Sequence, residues 1–348
     1  MNFNIHHFRG DGTNYLSVRG DEYKRLTPVY DWMKIPGATI VQLDKMPGEN
    51  EIQKWGLTDY VGAVTDGTYG AVGLDFKSPH TGLAAKKVWF FFDKTYVCLG
   101  TDISSRMKNQ VLTTVNQCLL NGQVTVSDAD GIHPQERGSR MKKGVRWVVH
   151  DRVGYYFLNK ENVILSNQRT EGSWKIANRQ TTTPTDIIQQ DVFTLSVDHG
   201  SYPNNEGYAY MVVPSADPLS IEKQVEEEGV VVLANCPDVQ AVRHDGLNMA
   251  YAVFYKGGTL RIHDKIVVEM DAPGMLMVKY NDAGEILTLG VSDPTRFMKK
   301  LHLSVNQRIV GTAQENIQTE WDGKQALTRI SVDLPQNEYA GKSVIYNK

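Results

Sequence analysis

The sequence of 348 residues has only three cysteines, which are too few and too widely spaced for a framework of disulfide bonds. It also lacks CxxC pairs, Cys/His spacings typical of zinc sites, and the motifs of a serine-nucleophile elbow, a P-loop or an HExxH metal site. Free cysteine commonly behaves as a small core residue, so Cys98, Cys118 and Cys236 are predicted to be buried thiols. The cysteines thus indicate neither a disulfide framework nor a zinc site.

Charge bias and long apolar runs are missing as well. The chain carries 37 basic and 40 acidic residues, and its net charge of −3 gives no global reason to bind nucleic acid or an anionic membrane. No segment approaches the roughly 20 apolar residues that a membrane-spanning helix needs. The first residues, "MNFNIHHFRGDG", have no apolar secretory core, so export would require a signal upstream of them.

Short segments rich in β-branched and aromatic residues, separated by Gly, Asn, Asp and Pro, dominate the sequence. Examples are "KVWFFFDKTYVCLG" (87–100), "RWVVHDRVGYYFL" (146–158) and "DVFTLSVDHG" (191–200). Helical periodicity is confined to "SIEKQVEEE" (220–228) and "DPTRFMKKL" (293–301), which are predicted to be short helices. The pattern predicts an all-β fold of stacked antiparallel sheets.

The strand pattern is interrupted once, at "PSADPLSIEKQVEEEG" (214–229), where two prolines and three consecutive glutamates occur. Strand-like segments resume after this interruption. We therefore predict a large antiparallel β-sandwich, a supersandwich, over residues 1–220 and a smaller C-terminal β-sandwich domain over residues 229–348.

Two Arg-Gly-Asp tripeptides, at 9–11 and 19–21, lie near the N-terminus. Gly-Asp is a preferred pair in turns, so turn formation explains both copies more simply than an adhesion function, which stays a third alternative. The adjacent His6 and His7 point to opposite faces of a strand and do not readily chelate one metal ion.

Two features are candidates for contact with a polymer. The segment "HPQERGSRMKKGVRW" has no acidic residue after Glu136 and is predicted to be a basic loop that could meet an anionic polymer, although a solvated loop is the simpler interpretation. Its basic residues are Arg137, Arg140, Lys142, Lys143 and Arg146. Trp55, in "IQKWGLTDYVG", has polar neighbours and is predicted to stack on a sugar ring.

A resemblance to one known family joins these segments. The chain resembles the β-sandwich portion of polysaccharide lyase family 8, which includes chondroitin AC, hyaluronate and xanthan lyases, and "VVVLANCPDVQAVRH" resembles the start of that family's C-terminal β domain. The segments that carry the resemblance, in order, are "RGDGTNYLSVRGDEY", "YDWMKIPGATI", "VGAVTDGTYG", "LAAKKVWFFFDKTYVCLG", "TTVNQ", "DRVGYYFLN", "FTLSVDHG" and "YAYMVVPS".

The resemblance implies an extracellular or periplasmic enzyme that cleaves uronic-acid polysaccharides by β-elimination, with chondroitin sulfate or hyaluronan as the expected substrate. A general base removes the proton next to the uronate carboxyl group, and the glycosidic oxygen then leaves. This chemistry needs no metal or organic cofactor. The expected partners are the acidic polysaccharide and an N-terminal α/α toroid domain of the same enzyme; nucleic acid and a membrane span are not expected, and the protein is expected to be a monomer.

In the family, the Asn, His and Tyr that carry catalysis lie on the toroid, and this sequence begins where the family's sandwich begins. We therefore expect no catalytic residue in this chain and negligible lyase activity from it alone. The resemblance offers Asn4 and Arg9 as substrate-binding residues near the toroid junction and Trp55 as a sugar-contacting tryptophan. Arg137 and Arg140 of the basic segment complete the substrate-binding candidates.

Two further points stay open at the level of the sequence. Asp31 falls where some relatives carry acidic groups that could bind calcium, but Met33 and the absence of neighbouring acids disfavour a calcium site. The alternative function is a stand-alone carbohydrate-binding or structural module that holds anionic glycans through Trp55 and the basic segment.

Overall fold

A computed structural model describes residues 7–48, 51, 53, 55–178, 180–309 and 316–348. These residues form mainly antiparallel strands, with two short α-helices, α1 (Trp174–Ala177) and α2 (Ile221–Glu228), among the residues described. No helix in these ranges is long and apolar enough to cross a membrane.

The first half of the chain forms a sheet of twelve strands in the described residues. Its strands are β1 (Thr39–Val41), β2 (Val61–Thr65), β3 (Gly70–Lys77), β4 (Ala84–Phe91), β5 (Tyr96–Ser104), β6 (Gln110–Leu119), β7 (Val124–Asp128), β8 (Gly131–Pro134), β9 (Ser139–His150), β10 (Val153–Gly172), β11 (Ile188–Ser201) and β12 (Glu206–Pro214). The strand order is β1-β6-β11-β10-β12-β5-β4-β3-β2, while β9 pairs with β10 and β7, and β7 also pairs with β8.

The second half of the chain forms two smaller sheets. The strands of the six-stranded sheet, in spatial order, are β13 (Val230–Cys236), β14 (Val239–His244), β15 (Met249–Phe254), β18 (Gly274–Tyr280), β19 (Ile286–Ser292) and β23 (Val344–Asn347). Those of the five-stranded sheet are β16 (Gly258–His263), β17 (Ile266–Met270), β20 (Lys300–Val305), β22 (Leu327–Asp333) and β21 (Ile317–Asp322).

Alternation along the strands builds the core of this second sandwich. Val268 and Met270 of β17, like Leu276 and Val278 of β18, are at most 1% exposed and belong to one hydrophobic cluster. Glu269, between Val268 and Met270 on β17, points outward because successive side chains on a strand face opposite sides. The predicted all-β fold, a large antiparallel β-sandwich followed by a smaller one, is confirmed.

The described chain also divides into two compact units. The first comprises residues 1–57, 76–85 and 102–221, and the second comprises residues 58–75, 86–101 and 222–348. The domain limits predicted from the sequence, 1–220 and 229–348, stay a prediction.

Of the two predicted helices, only the first forms. Residues 221–228 are helical as predicted, but the prediction of a helix at 293–301 was wrong. Arg296 has a φ of 64°, which the interior of a right-handed helix does not allow. The carboxylate of Asp293 accepts hydrogen bonds from the backbone N–H of Thr295 and Met298 at 2.8 Å each, and these bonds stabilise a turn instead.

The prediction of three buried thiols was correct for Cys98 and Cys118 but wrong for Cys236, which is exposed. Cys236 ends β13, an edge strand of the six-stranded sheet, where the chain turns into β14. An edge position leaves this side chain without covering residues on one side. Burial raises the pKa of the Cys118 thiol well above its ordinary value, as expected for a thiol that behaves as a core residue.

Candidate functional site

The N-terminal segment is anchored by apolar side chains, and this anchoring positions Arg9. Phe8, Leu26 and Ile35 are at most 2% exposed and share one hydrophobic cluster. Arg9 itself is exposed, and its guanidinium carbon lies 5.3 Å from the centre of the Trp32 ring. A cation over an indole ring is attracted by the ring's electron density, which holds Arg9 at the surface without neutralising its charge. Asn4 lies outside the described residues.

A buried carboxylate organises the second Arg-Gly-Asp turn. Glu22 accepts hydrogen bonds from the backbone N–H groups of Val18 and Arg19 at 2.6 Å each and of Gly20 at 2.9 Å, and from the Ser17 hydroxyl at 2.8 Å. Burial alone would raise the pKa of Glu22, but these donors outweigh it and lower the pKa to about 2. Glu22 is therefore ionised and fixes the shape of this turn.

Side chains of both Arg-Gly-Asp copies take part in local structure. The Arg19 guanidinium contacts Asp21 at 2.8 Å and Asp151 at 3.1 Å. Asp151 also accepts a hydrogen bond from the Asn121 side chain at 2.7 Å. In the first copy, Asp11 is only 6% exposed. Local structure therefore accounts for Asp11, Arg19 and Asp21, while Arg9 stays at the surface.

Trp55 has the most exposed aromatic side chain among the described residues, with 84% of its surface accessible. Trp55 lies between β1 and β2 and belongs to neither strand, and Leu57, two residues on, is 55% exposed. Most tryptophans cover part of a core, so this degree of exposure is unusual. Because the indole is in water, its flat face is available to a ligand.

The basic segment was predicted to be a loop, and this prediction was wrong for most of its length. Residues 139–150 form strand β9, which pairs with β10 on one side and β7 on the other. Strand β7 pairs only with residues 147–150, so residues 139–142 are held by their ladder with β10 alone. The backbone hydrogen bonds of this ladder form whatever the side chain, so polar residues there do not prevent strand formation.

Acidic neighbours neutralise much of the positive charge on this segment. Arg137 pairs with Asp191 at 3.0 Å and donates to the backbone carbonyl of Asn167 at 3.2 Å. Arg140 pairs with Glu136 at 2.7 Å. Lys142 pairs with Asp128 at 3.0 Å.

The Arg140 pair with Glu136 is exposed, and such a pair exchanges readily with other anions because exposed ion pairs are worth at most about 1 kcal/mol. Asp191, the partner of Arg137, is half-buried. Among the described residues, the structure shows no contact between any two of the predicted substrate-binding residues Arg9, Trp55, Arg137 and Arg140.

Sequence reasoning missed a polar groove of about 140 Å³ on one face of the large sheet. One row across four strands shows its construction: Ser139 of β9 lies opposite Ser166 of β10, which lies opposite Thr194 of β11, which lies opposite Gln117 of β6. The full lining is Val29, Asp31, Lys34, Gln117, Ser139, Ile164, Ser166, Gln168, Thr170, Val192, Thr194 and Ser196. Hydroxyl and amide groups in this pattern suit a ligand rich in hydroxyl groups.

The loop that follows the N-terminal segment forms the wall of this groove. Gln117 accepts a hydrogen bond from the backbone N–H of Asp31 at 2.8 Å and donates to the backbone carbonyl of Lys34 at 2.7 Å. The Asp31 carboxylate pairs with Lys34 at 2.7 Å and accepts the backbone N–H of Met33 at 3.0 Å. Both carboxylate oxygens of Asp31 therefore have protein partners, which makes this residue a wall of the groove rather than an open calcium ligand.

The buried histidines of the first compact unit have structural contacts. His150 stacks on Phe193 with 4.2 Å between ring centres, and burial lowers its pKa to about 4. His199 contacts the Thr113 hydroxyl at 2.8 Å, while the neighbouring Asp198 accepts the backbone N–H of Gly200 at 2.9 Å. Asp198 and His199 thus bond to different partners rather than to each other in these contacts.

The fold places the chain among all-β proteins in which a large antiparallel sheet precedes a β-sandwich. The family model described as "Polysaccharide lyase family 8, super-sandwich domain" matches residues 4–225, and "Polysaccharide lyase family 8, C-terminal beta-sandwich domain" matches residues 231–302. The chain therefore belongs to polysaccharide lyase family 8, and the resemblance stated from its sequence is confirmed.

Individual relatives agree with this assignment. The chain is 35% identical to Chondroitinase-AC from Pedobacter heparinus over 342 residues, which cover 97% of this chain and 45% of that protein. It is 28% identical to a hyaluronate lyase from Thermasporomyces composti over 90% of this chain and 40% of that protein. A solved structure of chondroitinase AC lyase with oligosaccharides superposes with a TM-score of 0.82 at 34% identity, covering 96% of this chain and 47% of that one.

A solved structure of xanthan lyase from Paenibacillus shares the fold, with a TM-score of 0.85 at 22% identity over 99% of this chain and 33% of that one. The chain spans about half the length, or less, of the curated relatives that it matches.

Proposed function

We propose that this chain is the β-sheet part of a lyase that degrades uronic-acid polysaccharides by β-elimination, with chondroitin sulfate or hyaluronan as substrate. The observation that carries the proposal is the 35% identity to Chondroitinase-AC across 97% of the chain. Proton abstraction and departure of the glycosidic oxygen belong, in this proposal, to a helical toroid domain that acts together with the β-sheet part. The enzyme works outside the cytoplasm, where its polymeric substrates occur, as an extracellular or periplasmic protein.

In this proposal the chain supplies contacts that hold the polysaccharide. The exposed indole of Trp55 stacks on the apolar face of a sugar ring, and the Arg9 guanidinium attracts a uronate carboxylate. Asn4 is proposed to contribute from the same N-terminal segment. Arg140 exchanges its exposed partner Glu136 for sulfate or carboxylate groups of the polymer, and the exposed Arg137 contacts such groups beside its pair with Asp191.

The chain alone is expected to show no turnover of chondroitin sulfate or hyaluronan. The product of β-elimination carries an unsaturated uronic acid, so the absorbance of that group in the ultraviolet measures the reaction directly. Full-length Chondroitinase-AC from Pedobacter heparinus serves as the positive control. Clear turnover by the chain alone would show that it carries the catalytic residues itself.

Replacing Trp55 by alanine is expected to weaken retention of the chain in gels that contain chondroitin sulfate. Loss of one stacking contact costs about 1 kcal/mol, which is roughly fivefold in affinity. Phe297→Ala is the matched control, because Phe297 is also a strongly exposed aromatic residue, at 74%, but lies in the second compact unit. Equal retention of the Trp55 variant and the unchanged chain would remove Trp55 from the proposed surface.

The contribution of the arginines is measured by the salt dependence of the same retention. Replacing Arg137 and Arg140 together by glutamine is expected to reduce retention at low salt and to flatten its decline as salt increases, because exposed charges are screened. Retention with an unchanged salt dependence would contradict this role.

The coding sequence upstream of Met1 separates the lyase from a stand-alone glycan-binding module: a signal peptide and helical domain there support the lyase.

A further inference from the structure

The five-stranded sheet of the C-terminal sandwich carries a groove of about 590 Å³ on its outer face. Its first row of outward side chains crosses four strands, because Glu269 of β17 lies opposite Ser304 of β20, Ser304 opposite Arg329 of β22, and Arg329 opposite Glu320 of β21. With strands about 4.8 Å apart, the row spans roughly 14 Å. The groove is thus wide enough for an oligosaccharide and falls within the usual size of ligand sites.

A second row runs parallel to the first. His302 of β20 lies opposite Ser331 of β22, which lies opposite Gln318 of β21. Asp271, at the end of β17, accepts the backbone N–H of His302 at 3.1 Å. On β20 and on β22 a serine alternates with a longer outward side chain. The two serines therefore lie between the carboxylates of β17 and the amide and carboxylate groups of β21.

The charge of this groove is opposite to what an acidic glycan requires. Glu269, Asp271 and Glu320 contribute three carboxylates to the lining. The Arg329 guanidinium, which faces them, is already held by Asp322 at 3.3 Å and by the Gln325 side chain at 2.6 Å. A sulfated or uronate-bearing chain would meet uncompensated negative charge here, and like charges at an interface oppose binding.

The polar groups match a ligand that is rich in hydroxyl groups. Every sugar hydroxyl can donate one hydrogen bond, and a carboxylate is a pure acceptor that forms strong, charge-assisted bonds with such donors. The hydroxyls of Ser304 and Ser331 and the amide of Gln318 both donate and accept, so they complement the ring and hydroxyl oxygens. The groove lining contains no Trp, Tyr or Phe side chain, so hydrogen bonds rather than stacking on a large ring would orient the ligand.

We propose that this groove binds a saccharide without acidic groups, at a site separate from the surface that holds the uronic-acid polysaccharide. Strands β21 and β22 lie wholly beyond residue 302, the last residue that the family's C-terminal model matches. The site does not depend on the lyase proposal, because all its lining residues belong to the second compact unit and none of them is a proposed contact of the lyase substrate. With this groove the protein would bind two kinds of carbohydrate: an acidic polysaccharide on the first surface and a saccharide without acidic groups here.

The test uses the full chain on a glycan array with three groups of probes: neutral oligosaccharides, glucosamine oligomers and uronate- or sulfate-bearing oligosaccharides. Binding is expected to the neutral oligosaccharides or to the glucosamine oligomers. Comparison of these two groups shows whether the groove prefers a neutral or an amino-bearing saccharide. The double variant Glu269→Gln with Glu320→Gln keeps the size of both side chains and is expected to reduce this binding at least roughly tenfold. Glu338→Gln, an exposed change outside the groove lining, is the matched control and is expected to bind like the unchanged chain.

Three results would overturn the proposal: binding to none of the probes, binding to the acidic group alone, or binding that the double variant leaves unchanged. Circular dichroism of each variant confirms that the fold is intact before binding is compared. Retention in chondroitin sulfate gels is expected to be unchanged in the double variant. Failure of the lyase proposal and failure of this one therefore give different results.

Discussion

Replacing Gly172 by alanine is expected to lower the free energy of unfolding by at least about 3 kcal/mol. A β-carbon at this position would overlap the backbone carbonyl oxygen of Pro28 and lie 2.8 Å from its carbonyl carbon and 3.2 Å from the Cα of Val29. Backbone atoms cannot rotate away as a flexible side chain can, so the 3₁₀ turn Thr27–Val29 must move off the end of β10.

Urea unfolding followed by tryptophan fluorescence measures this effect. Gly10→Ala is the matched control, because Gly10 has an ordinary backbone conformation and a β-carbon there would have no neighbour within 4 Å. Its unfolding free energy is expected to stay within about 0.5 kcal/mol of the unchanged chain. Since Val29 and Asp31 also line the polar groove, displacement of this turn is expected to distort the groove wall. Full stability of the Gly172 variant would mean that the turn is not fixed against β10.

Replacing Glu22 by glutamine is expected to cost about 3 kcal/mol of stability at neutral pH. The carboxylate accepts four hydrogen bonds, from the backbone of Val18, Arg19 and Gly20 and from the Ser17 hydroxyl. An amide has one oxygen in place of two and brings an N–H₂ group against N–H donors, so part of this set becomes unsatisfied. Chemical unfolding at neutral pH measures the loss.

The same residue predicts a pH dependence whose direction follows from its lowered pKa. In the folded chain the pKa of Glu22 is about 2, against an ordinary value of 4.5. Because the folded state holds the ionised form more tightly, the stabilisation is fully present above pH 4.5 and is lost as the pH falls towards 2. The difference in stability between the unchanged chain and the glutamine variant is therefore expected to shrink across this range.

Glu136→Gln is the control for both measurements, because Glu136 is exposed and its ion pair with Arg140 is worth little. Its stability is expected to follow that of the unchanged chain at each pH. A difference between the Glu22 variant and the unchanged chain that stays constant from pH 5 to pH 2.5, rather than shrinking, would contradict the lowered pKa.

The sequence predicted strands best where apolar residues and turn signals agree. The hairpin that joins β9 to β10 illustrates this: Asp151 and Arg152 both have positive φ, as a tight two-residue turn requires, and the flanking residues are apolar. In contrast, the second half of β10 is polar in sequence and was not predicted. It is a strand because β11 pairs with residues 163–172 and β9 with residues 163–166, and these pairings follow from the register of neighbouring strands rather than from local apolar residues.

Candidate site residues were likewise predictable only where the signal is local in the sequence. The exposure of Trp55 was predictable from its polar neighbours in the sequence. The ion pair of Arg137 with Asp191 and the groove row of Ser166, Thr194 and Gln117 were not, because these residues lie tens of positions apart and meet only through strand order and register. Single serines and threonines on strands carry no signal of their own, so only the assembled sheet reveals the groove.

The division of the chain into two compact units has a consequence for its synthesis. The second unit needs residues 58–75 and 86–101 as well as residues 222–348. Residues 58–75 and 86–101 leave the ribosome before residues 222–348, so the second unit cannot be completed until more than a hundred further residues have been made. The second unit therefore cannot be duplicated or exchanged as one continuous segment of sequence, and its early residues must stay competent to fold until its last residues are synthesised.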